Sequence, residues 1–150
     1  MLKGVPSIIS PLLLQTLCEM GHGDRLCIGD GNFPAATMAK ANDAVLIKLD
    51  GHGVDEILNA ILKLFPLDDY TDTPVMLMEK VESDKNLDIP IWKDFEKTVK
   101  KHDKRGKNAF GSYERFEFYE QAKQCHCIIR TGEKQGYANI ILQKGGVDQD

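Results

Sequence analysis

His22 stands between Gly21 and Gly23, with Asp24 next to it and Asp30 and Asn32 a few residues on. A histidine between glycines is sterically bare, so its ring can project into a cleft while backbone or ligand comes close. Imidazole has an ordinary pKa of about 6.5, which lets it give and take protons near neutrality. With carboxylates nearby, that is the equipment of general acid–base chemistry. The same residues also have quieter uses. Asp24 could cap a turn, Asp30 could form an Asx-turn, and His22 could bind a backbone carbonyl.

Three further groupings carry polar side chains at useful spacings. Arg115 and Tyr119 lie four apart in Tyr113-Glu114-Arg115-Phe116-Glu117-Phe118-Tyr119-Glu120, so a helix there puts guanidinium and phenol on one face. Such a face can hydrogen-bond a polyhydroxylated ligand, or it can be an Arg–Glu surface pair beside core aromatics. In Gly136-Tyr137-Ala138-Asn139, strand alternation places Tyr137 and Asn139 on one face, where ring and amide make a sugar platform or ordinary strand filling. Asp50-Gly51-His52-Gly53 reads as a turn. His22, Asp30 and His52 have donors that could suit a metal, yet no histidine pair at four-residue spacing fixes a ligand set. Gly21-His22-Gly23 and Gly51-His52-Gly53 lack the third glycine and following helix of a dinucleotide site, and no P-loop lysine or Gly-x-Ser-x-Gly elbow occurs.

The elements around these residues follow from local signals. Ser10-Pro11 is an N-cap followed by a first-turn proline, and Gly21 stops the helix after Met20. Strands are predicted over 25–28, 45–49, 75–81, 125–131 and 137–143, and a short helical turn over 35–39. Ile57, Leu58, Ile61, Leu62 and Phe65 recur at helical spacing over 55–65, which Pro66 ends. Trp92, Phe95 and Val99 make a second stripe in a lysine-rich stretch, read as a solvated helix with a basic tail and a mobile loop through Gly106. A helix is predicted over 113–123. Gly132-Glu133-Lys134-Gln135-Gly136 joins the last two strands as a hairpin or crossover loop, and 145–150 read as frayed. Strands alternating with helices give an α/β fold with a central β-sheet flanked by helices, in two or three layers.

Composition bounds the rest. A chain of 150 residues, 42% hydrophobic and 28% charged, fits one domain spanning 1–150 with a real core. A net charge of −4 argues against nucleic-acid or membrane-surface partners. No apolar run reaches the ~20 residues of a membrane span, and Met1–Pro6 lacks the apolar stretch of a signal peptide. Cys18, Cys27, Cys125 and Cys127 lack zinc-knuckle spacing and read as reduced, mostly buried thiols of a cytoplasmic protein.

Taken in order, the blocks resemble the fucose mutarotase and ribose pyranase family nearly end to end, from Leu2-Lys3-Gly4-Val5-Pro6 to Lys144-Gly145-Gly146-Val147. They are Met20-Gly-His-Gly-Asp24 with Asp30-x-Asn-Phe-Pro-Ala35, Leu67-Asp68-x-Tyr70, Glu114-Arg-Phe-Glu-Phe-Tyr-Glu120, and Thr131-Gly-Glu133 leading to Tyr137-x-Asn139. The block at 114–120 looks like the fucose branch and its animal members in particular. The resemblance implies the family's own α/β fold, a ring-shaped oligomer, commonly a decamer, and active sites near subunit contacts. It also implies interconversion of the α and β anomers of a free monosaccharide such as L-fucose, without cofactor or metal. By the same resemblance His22 matches the proton donor, and Asp68 and Tyr119 match other catalytic positions. Asp30, Met78, Arg115, Tyr137 and Asn139 match substrate-binding positions. Two departures stand out: Ala138 replaces a frequent glycine, and His52 replaces an apolar residue.

Overall fold

The computed structural model describes residues 1–148. Ser10 caps α1 (Pro11–Glu19) by accepting from the Leu13 amide at 3.2 Å. The chain then runs through β1 (Arg25–Gly29), α2 (Ala35–Ala41), β2 (Val45–Leu49), α3 (Val54–Leu62), β3 (Val75–Met78), α4 (Pro90–His102), β4 (Phe110–Tyr113), α5 (Arg115–Ala122), β5 (Cys127–Thr131) and β6 (Ile140–Gln143).

The six strands form one mixed sheet in the order β2-β5-β1-β6-β3-β4. All neighbouring pairs are parallel except the two made by β6, which runs antiparallel between β1 and β3. The pleat sorts side chains to opposite faces at every second residue. Leu26, Ile28, Ile129, Ile140 and Leu142 go to the side of the sheet covered by α1, α3 and α4. Cys27, Ile128 and Ile141 go to the other, with Met38, Phe118 and Ala122 from α2 and α5. Both faces are covered, so the fold has three layers.

Several expected boundaries move. The strand expected over 75–81 ends at Met78, and that expected over 125–131 begins at Cys127. The helix expected over 113–123 begins at Arg115, because the Glu114 carboxylate caps it by accepting from the Phe116 and Glu117 amides. Tyr113 belongs instead to β4, paired with Met78. The supposed mobile loop through Gly106 is a 3-10 turn over Gly106–Ala109 that leads into β4. The 132–136 connection is a crossover rather than a hairpin, since β1 lies between β5 and β6. Gly145, expected to fray, is buried, and its amide donates to the Pro66 carbonyl. Residues 149–150 of that expectation lie outside the described residues.

Candidate active site

The turn carrying His22 is built by its neighbours. The Asp24 amide donates to the Gly21 carbonyl, and the Asp24 carboxylate accepts from the Gly21 amide at 2.7 Å. Gly23 sits at φ +87°, the value a type II turn needs at its third residue, which only glycine adopts without strain. His22 Nε2 then meets Asp68 Oδ1 at 2.9 Å, and Tyr70 packs on the imidazole with ring centroids 5.1 Å apart. Asp68 is 3% exposed, and it also accepts from the Tyr70 amide and from Gln143 Nε2. Burial pushes the Asp68 carboxyl up, but the Tyr70 amide, His22 and Gln143 outweigh it and hold it below the usual carboxylate value.

A depressed native pKa stabilises the fold where the group is ionised. The contribution of Asp68 is therefore present above the ordinary carboxylate value of about 3.9, and it is lost as pH falls through the lower native value. Urea midpoints of wild type and Asp68→Asn across pH are expected to be well separated at neutral pH. They should converge as the solution becomes acidic below about pH 4. A gap that widened in acid would contradict this sign.

A second cluster lies at the other end of the sheet. There, an open pocket of about 310 Å³ is lined by residues that include Asp30, Phe33, Met78, Arg115, Tyr119, Tyr137 and Asn139. The parallel strands β1 and β3 end there, and the antiparallel β6 begins there. Asn139 Oδ1 accepts from the Asp30 amide at 2.8 Å, and the Asp30 carboxylate accepts from the Asn32 and Ala138 amides. Burial pushes the Asp30 carboxyl up despite those bonds. Arg115 Nε donates to Tyr119 Oη at 3.3 Å across one helical turn, the shared face expected from the four-residue spacing.

Tyr137 lines this pocket by a different route from the one expected. It precedes β6 and lies at φ +56°, a strained conformation for a bulky residue, so strand alternation does not place it beside Asn139. Three bonds hold it there. Its hydroxyl donates to Asp84 Oδ2 at 2.6 Å, the Val81 amide donates to that hydroxyl oxygen, and Trp92 Nε1 donates to its carbonyl. Burial and then the bond to Asp84 push the phenol above its ordinary pKa, so it stays a neutral hydroxyl. The left-handed backbone falls on Tyr137, one residue before Ala138, and Ala138 is not among the positive-φ residues.

The two clusters are far apart within the chain. His22 precedes β1 and Asp30 follows it, and five strand residues at about 3.3 Å each span about 16 Å. The expected grouping of His22 with Asp30 therefore fails within one chain, and so does the metal set of His22, Asp30 and His52. His52 instead pairs with Glu56, 3.2 Å away, beside the start of α3. Among the described residues no group of three or more His, Cys, Asp or Glu side chains is placed to hold a metal ion.

Sequence reasoning missed Asp84, Val81 and Gln143 as supports. Gln143 had no signal in its strand parity, which it shares with the buried apolar Ile141. Asp84 had none either, since it lies in a 3-10 turn, Glu82–Asp84, far from Tyr137 in sequence.

This chain is similar to proteins of both animals and bacteria. It is 43% identical over 146 residues to fucose mutarotase of Homo sapiens, covering 96% of this chain and 93% of that one. The crystal structure of FucU from Bifidobacterium longum shares 56% identity at a TM-score of 0.94, covering 97% of this chain and all of that one. The crystal structure of a fucose mutarotase from Streptococcus pneumoniae in complex with L-fucose shares 41% identity at a TM-score of 0.89, covering 98% of this chain and 100% of that one. With residues 3–147 also matched by the model of the RbsD / FucU transport protein family, the chain belongs to that family.

Proposed function

We propose that the whole chain, 1–150, works as one sugar mutarotase domain, an isomerase that interconverts the α and β anomers of L-fucose. One observation carries this reading: the polar pocket of Asp30, Arg115, Tyr119, Tyr137 and Asn139 lies in a chain similar over nearly all its length to a fucose mutarotase solved with L-fucose.

A hemiacetal opens when its ring oxygen gains a proton and its anomeric hydroxyl loses one. The open aldehyde turns about the C1–C2 bond and closes on its other face. The needs are one acid, one base and a cage that tolerates both anomers. Asp68 accepts from His22 Nε2–H, so the acid is the imidazolium form, whose Nδ1–H passes its proton to the ring oxygen and leaves a neutral ring protonated at Nε2. Both oxygens of Asp68 are already engaged, so it orients the imidazole rather than touching the sugar. Tyr119, with its oxygen held by Arg115, takes the anomeric proton while passing its own hydroxyl proton to solvent water, which is the final base. Asp30 and Asn139 hold ring hydroxyls. Tyr137 has given its proton to the bond with Asp84 and offers an acceptor lone pair. Met78 and Phe33 face the C5 methyl that distinguishes fucose from hexoses with a hydroxymethyl group.

The two half-sites sit at opposite ends of β1, so one copy brings His22–Asp68 to the pocket of another. Exposed aromatics flank both ends, with Tyr70 87% and Phe116 66% exposed, in keeping with burial by a neighbouring copy. Self-association into a closed ring, a decamer by the family resemblance, satisfies every half-site at once. Buried thiols at Cys27, Cys125 and Cys127 suit a reducing cytoplasm.

Saturation-transfer NMR on L-fucose, D-ribose and D-galactose, with and without chelator, tests the reading. Exchange is expected to be fastest for L-fucose and indifferent to chelator. Binding without faster exchange would overturn the enzyme, and a chelator-sensitive rate would overturn the metal-free mechanism.

A further inference from the structure

Arg105 is claimed by none of the chemistry above. Its guanidinium is half-buried between the end of α4 and the loop that carries Asp68 and Tyr70. It forks onto Asp103, Nε to Oδ1 at 3.1 Å and Nη2 to Oδ2 at 2.9 Å. It also reaches the loop backbone, Nη2 to the Asp68 carbonyl and Nη1 to the Thr71 carbonyl, each at 3.1 Å. Asp103 is itself fixed, since its Oδ1 accepts from the Arg105 amide at 3.0 Å and its own amide donates to the Val99 carbonyl at the end of α4.

The loop held this way delivers two contacts to His22, the Asp68 carboxylate and the Tyr70 ring. Its other anchors pull on different atoms. The Asp68 amide donates to the Gln143 carbonyl, and Leu67 bridges Lys144. These tie the loop where it begins, whereas Arg105 alone among the described side chains grips its carbonyls at Asp68 and Thr71, on either side of Tyr70. A planar fork with fixed donors suits that task, and an ammonium on a flexible stem does not.

We infer that the Arg105–Asp103 pair is a positioning device for the acid. It holds the 68–71 loop so that the Asp68 carboxylate meets His22 Nε2 and leaves Nδ1 free for the sugar. The inference deepens the proposed mutarotase reading and rests on it. Arg105 touches no substrate, so its loss acts on the delivery of the proton rather than on sugar affinity.

The test combines Arg105→Gln, Arg105→Lys and Asp103→Asn with two readouts. The first is kcat and KM for L-fucose anomer exchange. The second is the ring ¹⁵N shifts of His22, which report its tautomer without reference to activity. Arg105→Gln is expected to lower kcat about 10–100-fold, the scale of an ångström-sized misplacement, with KM within about twofold. Its neutral His22 should change from protonation at Nε2 to a mixture of tautomers. Arg105→Lys should resemble Arg105→Gln, and Asp103→Asn should add little to either, because paired residues acting as one unit are non-additive.

A merely structural arginine would lower thermal stability and leave tautomer and kcat in place; that result overturns the inference. So does full rescue by lysine, which would make charge rather than the fork the cause. Should Arg105→Gln fail to fold, the lysine variant is read by the same two measures. His22→Ala is run in parallel. Exchange surviving in that variant overturns the acid assignment, while the tautomer shifts still decide the positioning role.

Discussion

Replacing His22 with alanine is expected to abolish anomer exchange above the spontaneous rate, a loss of about 10²–10⁴-fold. The protein should still fold, and its oligomer should stay intact. The imidazole is 46% exposed, so its removal opens no core cavity. Asp68 keeps the Tyr70 amide and Gln143 as donors, and water can take the vacated place. The stability cost is then about 1 kcal/mol, the worth of one exposed-side hydrogen bond. Saturation transfer between the two anomers, together with sedimentation of the variant, checks both halves of the statement. Wild-type exchange in His22→Ala would remove the acid from the mechanism, and a variant that falls apart would make His22 a structural residue.

Two inactive variants are expected to restore each other. The His22–Asp68 end and the Tyr119 end are separated by the length of β1, so on the proposed reading one working site draws on two copies. Each of His22→Ala and Tyr119→Phe should be inactive alone. Co-expressed at equal levels and mixed at random within closed rings, they should pair intact halves at about a quarter of the sites. Activity near a quarter of wild type in the mixture is the expected result. The double variant carried on every chain should remain dead. No recovery in a verified mixed oligomer would mean that each chain supplies its whole site, against the geometry described above.

Much of the fold was legible from local pattern. Ser10-Pro11 and Gly21 bracket α1, and the stripe over 57–62 lies in α3, because caps and helical periodicity are properties of neighbouring residues; the helix expected over 55–65 stops at Leu62, with Phe65 buried just beyond it. β4 was not legible. Its Phe110-Gly-Ser-Tyr113 run has no alternation, and it pairs only because Gly111 lets Met76 and Thr73 approach where a Cβ would crowd them. The site was legible as residue types and partly as geometry. The Arg115–Tyr119 face followed from spacing, and Asp30 fell at a strand end as expected. Tyr137 did not, since an aromatic before an apolar run looks like strand, while its left-handed backbone depends on Asp84 and Trp92 from distant segments. The grouping of His22 with Asp30 was misleading for a simple reason: eight residues are close in sequence, but the strand between them carries the chain to the other end of the sheet.

The placement of β6 bears on how the chain matures during synthesis. Of the six strands in the sheet it is the last to leave the ribosome, yet it occupies the interior of the sheet between β1 and β3. Until residues 140–143 emerge, β1 and β3 have no common neighbour, and the nascent sheet stays in two pieces. Asn139, which receives the Asp30 amide, and Gln143, which holds Asp68, arrive with that same strand. Both half-sites are thus completed in one late step, and a chain halted before it has neither.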